Sequence, residues 1–358
     1  MVTITDAFRD FQQRARRSVT PAAAGGPVDA GQVLRYGLAL IWLQDAILQY
    51  QPFMFSKAFS QLLSGTAQGN PHVIAQPISW AAGIVADRPV LVNAVFATIQ
   101  LLLAVGIVWR RTTKIGLAAS IAWSLGVWLF GEGLGGVLAG TASPVNGAPG
   151  AVILYALLAV VLWPGGGERS RQAPFVAARA LGAWPARLLW VVLWGSLAYL
   201  AIAPGNRSRQ GLAQLVSRNA AGEPGWIAGM DRAVATALAG VGTPVSITLA
   251  EVLVVIAAAV FYWPWLARLT LVLAIVTAIA FWMVGENFGA ILTGTGTDPN
   301  SGPLLALLAL TYWPAGLRSL PDELDGPLQR GGRDGSALGQ RLVLAQRSVE
   351  LKRIGHLG

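Results

Sequence analysis

Long apolar runs recur along the whole chain and are separated by short polar or Gly/Pro-rich stretches. A helix needs roughly 20 mostly apolar residues to cross the ~30 Å hydrocarbon core of a bilayer. Eight runs suggest such helices, and the fourth and eighth, which are short, are expected to extend into the loops before them. The runs are Val33–Gln51, Pro89–Trp109, Ile115–Gly131, Gly150–Trp163, Leu188–Ala203, Pro244–Trp263, Arg268–Gly285 and Pro303–Trp313.

The composition favours a membrane protein and excludes several kinds of site. Hydrophobic residues make up 54% of the 358 residues, and charged residues only 12%, about half the ~25% typical of soluble domains. With no cysteine and two histidines, disulfides, thiolate metal sites and multi-histidine metal sites are excluded. No dinucleotide fingerprint or phosphate-binding loop is present. We therefore expect no metal and no resident cofactor, with a quinone as the one open possibility.

The distribution of basic residues predicts the topology. Lysine and arginine are retained on the cytoplasmic side of membrane proteins. With the N-terminus inside, 20 of the 26 basic residues fall in inner segments and 6 in outer loops. This predicts a multi-pass protein of a bacterial-type cell membrane with both termini cytoplasmic. The net charge of +9 is spread over many loops, so no nucleic-acid partner is expected.

An internal repeat organises the chain. The motif Gly-Glu-x-x-Gly-x-x-Leu-x-Gly-Thr occurs in residues 128–141 and again in residues 282–295. Further matches are Asn146 and Pro149 with Asn300 and Pro303, and Arg35 and Trp42 with Arg187 and Trp194. Each unit contains four predicted helices, an even number, so both units must have the same orientation. The predicted fold class is an all-α polytopic membrane protein with eight transmembrane helices arranged as two parallel four-helix repeats.

Five segments follow from this pattern. They are a basic cytoplasmic segment (1–32), the first repeat (33–164), a cytoplasmic linker (165–186), the second repeat (187–314) and a basic amphipathic cytoplasmic tail (315–358). Residues 4–17 and 336–354 carry apolar stripes flanked by basic residues, which predict helices that lie on anionic lipid or against a partner protein. A long semi-apolar loop follows the first helix of each repeat, and we expect one or two short helices there.

Two features of the chain resemble the DoxX-like group. One is the segment Leu34–Phe55, with Asp45 near its centre, and the other is a four-helix unit with a long loop after its first helix. That group includes the small DoxD subunit of thiosulfate:quinone oxidoreductase. The resemblance covers residues 35–314 as two fused units. It implies a non-catalytic membrane subunit or anchor of a quinone-linked redox assembly, with membrane lipids and another protein as partners.

Four carboxylates in or beside the apolar runs are candidate binding groups, because ionisable residues inside a membrane are costly and usually functional or paired. Glu132 and Glu286 are repeat equivalents at the outer ends of the third and seventh helices. Either could bind a cation, accept a proton or fix the following loop, which contains Asn146 or Asn300, through hydrogen bonds. Both asparagines are candidates for the same site.

The other two carboxylates, Asp45 and Glu251, are predicted to be buried inside helices, and neither has an acidic counterpart in the other repeat. This predicts a single asymmetric site between the repeats. Gln44, Gln49 and Gln100 are expected to share that site. The alternative is a protonated acid that makes an interhelical hydrogen bond.

Two further functions stay open beside the quinone-linked subunit. Parallel repeats often place a site on their shared axis, so a transporter or lipid-handling protein could use Asp45 and Glu251 as coupling groups. A membrane assembly factor would instead have tightly packed repeats and no internal cavity. The sequence leaves open whether any reaction is catalysed.

Overall fold

A computed structural model describes residues 29–166, 170 and 172–314. Over these residues the chain forms helices and no strand, which confirms the all-α prediction. The amphipathic segments predicted at 4–17 and 336–354 lie outside the described residues.

The first half of the described chain contains six α-helices. They are α1 (Ala30–Leu48), α2 (Lys57–Gly65), α3 (His72–Asp87), α4 (Pro89–Val108), α5 (Thr113–Phe130) and α6 (Ala151–Val161). Short 3₁₀ turns occur at Pro52–Phe55, Gly133–Gly136 and Pro144–Asn146.

The second half of the described chain contains eight α-helices. Its helices are α7 (Val176–Leu181), α8 (Ala183–Ala201), α9 (Pro204–Arg207), α10 (Gly211–Asn219), α11 (Gly225–Leu238), α12 (Gly242–Ala258), α13 (Pro264–Ala280) and α14 (Ser301–Thr311). A 3₁₀ turn, Ala259–Phe261, extends α12, a π-turn, Phe281–Gly285, extends α13, and a 3₁₀ segment covers Asn287–Thr293.

Each apolar run predicted from the sequence falls on a helix, but only four helical segments are long and apolar enough to cross a membrane. These are Pro89–Val108, Thr113–Phe130, Gly242–Phe261 and Pro264–Gly285. The described helices therefore support an integral membrane protein with four candidate spans. The helices α1 and α8 have 19 residues each but are not apolar enough to count among these candidate spans.

The two short helices stay short, contrary to the sequence expectation: α6 begins at Ala151, inside its predicted run, and α14 begins only two residues before Pro303. Both α6 and α14 have 11 residues, a length of roughly 16 Å at 1.5 Å per residue. The backbone just before each helix is not helical: Gly150 has φ 113° and Asn300 has φ 66°. Positive φ values cannot continue a right-handed helix, so both helices begin abruptly.

One buried apolar cluster runs through both halves of the described chain. Within it, α1 packs against α4 and α8 packs against α12, while α6 and α14 pack against each other. Leu154 and Leu158 of α6, like Leu304 and Leu308 of α14, are fully buried. The two short helices thus lie in the buried core of the described helices.

The semi-apolar loops after α1 and α8 contain the short helices that the sequence predicts. In the first half these are α2 and α3, and in the second half α10 and α11. The segment predicted as a linker contributes α7, and Phe175 just before α7 stacks on Tyr312 with the ring centroids 5.2 Å apart.

Candidate functional site

A cavity of about 740 Å³ lies in the first half of the chain. Its walls come from α1 to α6, from the loop between α5 and α6, and from residues 297–300 of the second half. The aromatic part of the wall comprises Trp42, Phe59, Trp80, Phe96, Trp123, Phe130 and Tyr155. The volume falls within the ~300–1,000 Å³ range of small-molecule sites. We refer to this cavity as the first-half pocket.

One end of the first-half pocket is polar and is built on α1. Trp42, Asp45 and Gln49 follow each other at spacings of three and four, which places them on one helix face. Asp45 is only 2% exposed, and its Oδ2 accepts a 2.6 Å hydrogen bond from the Tyr155 hydroxyl of α6. The other carboxylate oxygen, Oδ1, has no hydrogen-bond partner among the described residues.

Neighbouring helices hold this face of α1 in place. The Trp42 Nε1 donates to Ser120 Oγ of α5 at 3.0 Å, and the Asn93 amide of α4 donates to the Gln49 carbonyl at 2.7 Å. The side-chain oxygens of Gln49 and of Gln100 on α4 are buried, and no described group donates to them. Three acceptor oxygens at this end are therefore free for a hydrogen-bond donor.

Glu132 lies in the loop after α5 and also lines the pocket. Its Oε1 accepts a 3.2 Å bond from the Val152 amide in the first turn of α6, while its Oε2 lacks a partner among the described residues. Burial, with the nearby Asp298 carboxylate, raises the pKa of Glu132 to about 8. This glutamate therefore carries a proton through much of the neutral range.

Gly150 allows the close approach of Glu132 to α6. Its φ of 113° is a conformation that side chains rarely adopt, and a Cβ there would collide with Glu132 Oε2 and lie 3.0 Å from the Trp128 ring. The Trp128 Nε1 in turn donates to the Pro149 carbonyl at 2.7 Å. A glycine is thus required for this part of the wall.

The second half contributes Thr297, Asp298 and Asn300 to the pocket. Asp298 accepts 2.7 Å bonds from the Thr297 hydroxyl and from the Asn300 amide, which keep the loop tight. Burial raises the pKa of Asp298 above its usual range. The sequence analysis did not single out Asp298, because nothing in its local Thr-Asp-Pro-Asn context indicates that it reaches a pocket formed mainly by the first half of the chain.

The structure brings together most of the residues proposed from the sequence. Asp45, Gln100, Glu132, Asn146 and Asn300 all line the first-half pocket, as does Gln49. Gln44 is half-buried and does not line it. Tyr155 and Asp298 are additional members.

Glu286, although buried, lies outside the pocket lining. The Ser301 hydroxyl donates to its Oε1 and the Gly302 amide donates to its Oε2 at 3.0 Å. Burial raises the pKa of Glu286 to about 7, against the lowering effect of these hydrogen bonds. Glu286 therefore fixes the start of α14 through hydrogen bonds. This is the loop-fixing role that the sequence analysis gave as one possibility for Glu132 and Glu286.

The prediction that Glu251 is buried beside Asp45 is wrong. Glu251 is exposed on α12 and does not line the pocket. The buried face of α12 is formed by Gly242, Ser246, Ala250, Leu253, Ile256 and Ala257. Since α12 is apolar on nearly every side, the position of one acid along the helix did not reveal which face is buried.

The second half contains a polar network that the sequence analysis missed. The Asn287 amide donates to Asp231 Oδ2 at 2.9 Å and to the Asn219 carbonyl at 2.8 Å. Asn219 donates to the Gly285 carbonyl at 2.5 Å. These bonds join α10, α11 and the end of α13.

The electrostatic character of the first-half pocket is acidic. Asp45, Glu132 and Asp298 line it, and no lysine, arginine or histidine does among the described residues. Within the same part of the chain, no group of three or more His, Cys, Asp or Glu is arranged to hold a metal ion. The pocket therefore suits a proton, an organic cation or a hydrogen-bond donor.

No protein-family model matches the chain, and neither a curated protein nor a solved structure shows significant similarity to it. The resemblance to the DoxX-like group stays a prediction.

Proposed function

We propose that the protein is a membrane subunit that takes a small amphipathic molecule from the bilayer into the first-half pocket, and that this molecule is of the quinone class. The observation that carries the proposal is the combination of an aromatic wall with buried, unpaired oxygens of Asp45, Gln49 and Gln100 at one end. Apolar walls with a few convergent polar groups are typical of small-molecule sites.

A quinol matches this arrangement chemically. Its ring and tail are apolar, and its two hydroxyl groups are hydrogen-bond donors that need acceptors. Asp45, bonded to the Tyr155 hydroxyl, supplies a carboxylate oxygen that can accept a hydrogen bond or a proton, and Glu132 supplies a second carboxyl oxygen without a described partner in the same cavity. A redox centre that exchanges electrons with the quinol would lie on a partner protein, in agreement with the DoxX-like resemblance.

The proposed topology has eight spans in two parallel four-helix repeats, with both termini cytoplasmic. The buried positions of the two halves support the repeat, because Leu38, Trp42 and Asp45 of α1 match Trp190, Trp194 and Leu197 of α8 at a constant offset. Each half also has an equivalent hydrogen bond, which supports the repeat. The Asn93 side chain donates to the backbone carbonyl of Gln49, and the Ser246 hydroxyl donates to the backbone carbonyl of Ala201.

The two glutamate contacts refine the alignment of the repeats. Glu132 bonds the Val152 amide and Glu286 bonds the Gly302 amide, so the last helices align at an offset of 150 residues. Pro149 then corresponds to Pro299 rather than to Pro303. The difference arises because the loop between the glutamate and the last helix is four residues shorter in the second half.

On this alignment, four polar residues of the pocket have apolar counterparts in the second repeat. Asp45, Gln49, Gln100 and Tyr155 correspond to Leu197, Ala201, Leu253 and Leu305. The first repeat therefore has polar side chains where the second repeat has apolar ones. This difference supports a single ligand site for each chain.

A binding experiment on the purified full-length protein in nanodiscs tests the proposal. Decylubiquinol and decylubiquinone are titrated, and quenching of the pocket tryptophans Trp42, Trp80 and Trp123 is followed. We expect saturable binding that Asp45→Asn weakens by about tenfold, the order of one lost hydrogen bond to a charged group. Glu251→Gln, an acid-to-amide change outside the pocket, is the matched control and should bind normally. Absence of saturable binding, or equal loss in both variants, would contradict the proposal.

A transporter of amphipathic cations is the second candidate. It is favoured by the acidic lining of the pocket and by the lack of any basic residue there among the described residues. Uptake of a lipophilic amine into proteoliposomes that Asp45→Asn abolishes, together with no binding of either quinone form, would favour transport over the quinone-linked role.

A further inference from the structure

The candidate span Gly242–Phe261 carries one charged residue, Glu251, at its midpoint. Glu251 is the tenth of the 20 residues, so it lies roughly 14 Å from either end of the span at 1.5 Å per residue. Its side chain is exposed. In a bilayer, this carboxyl group would therefore face the hydrocarbon near the midplane.

Such a position is unfavourable for a subunit surrounded by lipid. Acidic residues within membrane helices almost always face the interior of a bundle, a cavity or a partner, because a charge or an unpaired carboxyl in hydrocarbon is costly. The side chain of a glutamate is too short to reach the headgroups from the midplane. Glu251 also makes no hydrogen bond or ion pair within the described part of the chain.

Glu251 belongs to a continuous exposed stripe of α12. Pro244, Ile247, Thr248, Glu251, Val254 and Val255 are exposed at spacings of three and four residues. The opposite face, which includes Ala250 and Leu253, packs towards α8. The stripe is therefore apolar with one hydroxyl and one carboxyl, a pattern typical of a membrane interface between helices held by a polar contact.

A second copy of this chain offers no complementary charge to the stripe. Among the exposed positions of the four candidate spans, Lys114 is the one basic residue, and it is the second residue of α5, far from the midplane. A symmetric pair of copies would place Glu251 opposite the same acid. Charge complementarity thus points to a different protein.

We propose that the exposed stripe of α12 around Glu251 is the docking surface for a transmembrane helix of another protein, one that presents a lysine or arginine at the depth of Glu251. The carboxylate and the basic group neutralise each other, and Ile247, Val254 and Val255 pack against the apolar remainder of the partner helix. This surface is separate from the first-half pocket, so the docking proposal does not depend on what the pocket binds.

A defined peptide tests the surface. The full-length protein is reconstituted in phosphatidylcholine vesicles with a labelled 23-residue Leu/Ala transmembrane peptide that carries one central lysine, and association is measured by energy transfer. The matched peptide has leucine in place of lysine. We expect the lysine peptide to bind ~3- to 10-fold more tightly, the order of one polar contact between membrane helices, and Glu251→Leu to remove the difference.

Thr98→Leu is the control variant. Thr98 is exposed at the matching place on α4, and its hydroxyl is already bonded to the Ala94 carbonyl at 2.7 Å, so the preference for lysine should persist. Equal association of both peptides with the wild-type protein would overturn the proposal.

A photoreactive residue at Val255 in native membranes provides the second measurement. Mass spectrometry of the adduct should identify an apolar segment of another protein that contains a lysine or arginine. An adduct to a second copy or to the tail of this chain would overturn the proposal. The pocket is unaffected by Glu251→Gln, so a failure here is distinguishable from a failure of ligand binding.

Discussion

Glu132 keeps one carboxyl oxygen without a hydrogen-bond partner, whereas Glu286, in the same sequence motif, has both oxygens bonded. The first glutamate faces the pocket, and the second is occupied entirely by the start of α14. The same residue in the same motif thus has a spare acceptor in one half and a purely structural role in the other.

Exchanging these glutamates for glutamine should separate the two roles. Glu286→Gln removes an acceptor from a buried pair of donors, which costs about 1–3 kcal/mol of unfolding free energy. Glu132→Gln keeps one acceptor for Val152 and should lower stability by less, but it should weaken decylubiquinol binding. Thermal unfolding in detergent and tryptophan quenching measure the two effects. A larger loss of stability in Glu132→Gln than in Glu286→Gln would contradict this difference.

The hydrogen bond between Tyr155 and Asp45 should be needed for stability as well as for binding. Tyr155→Phe leaves a buried carboxyl without its donor, so we expect a loss of about 1–3 kcal/mol in unfolding free energy. The double variant Asp45→Leu/Tyr155→Leu recreates the apolar pair Leu197 and Leu305 of the second half. It should recover most of that stability while losing ligand binding. A double variant as unstable as Tyr155→Phe would show that the bond is not the cause.

Stability should decrease as the pH rises from about 5 to about 8. The pKa of Glu132 is raised from 4.5 in the free residue to about 8 by burial and by Asp298. The folded state therefore binds a proton that the unfolded state has released in this range, and the stabilisation is lost as the pH passes the folded pKa. Melting temperatures across this range provide the measurement, and Glu132→Gln should show a shallower decrease. A melting temperature that rises with pH would contradict the sign.

Gly150 should not tolerate a side chain. Gly150→Ala forces a Cβ against Glu132 and the Trp128 ring at a positive φ, so we expect a loss of about 1–3 kcal/mol. Gly195→Ala is the control, because Gly195 is in the interior of α8 and a Cβ at this position would have no neighbour within 4 Å; it should be neutral or stabilising by up to about 1 kcal/mol. Urea unfolding of the two variants compares them, and similar losses would argue against strain at Gly150.

The proposed topology can be tested directly, because the chain has no cysteine. Two single-cysteine variants are suitable, Gly166→Cys and Ser64→Cys. Gly166 lies in the segment between the halves, Ser64 lies in α2, and both positions are exposed. A membrane-impermeant maleimide added to intact cells should label Ser64→Cys and should label Gly166→Cys only after lysis. Labelling of Gly166→Cys in intact cells would show that the orientation is the opposite of the proposed one.

The sequence predicted the position of the helices better than it predicted the site. Apolar runs locate helices because burial and membrane insertion both demand them, and Asp45 stood out because an acid inside an apolar run is costly. Tyr155 is not ionised at neutral pH, so the search for charged residues in apolar runs passed over it. Under the proposed repeat it matches Leu305, and the four-residue difference in loop length obscures that match. Asp298 could not be found, because its approach to Asp45 depends on packing between segments some 250 residues apart.

The restriction of Asp45, Gln49, Gln100 and Tyr155 to one half has a consequence for how such a molecule can evolve. In a homodimer of four-helix units, every substitution would appear in both subunits, and both cavities would change together. Joining the units in one polypeptide frees them to diverge. Under the proposed repeat, the second unit contributes Thr297, Asp298 and Asn300 to the cavity of the first, while the first alone carries the four polar residues.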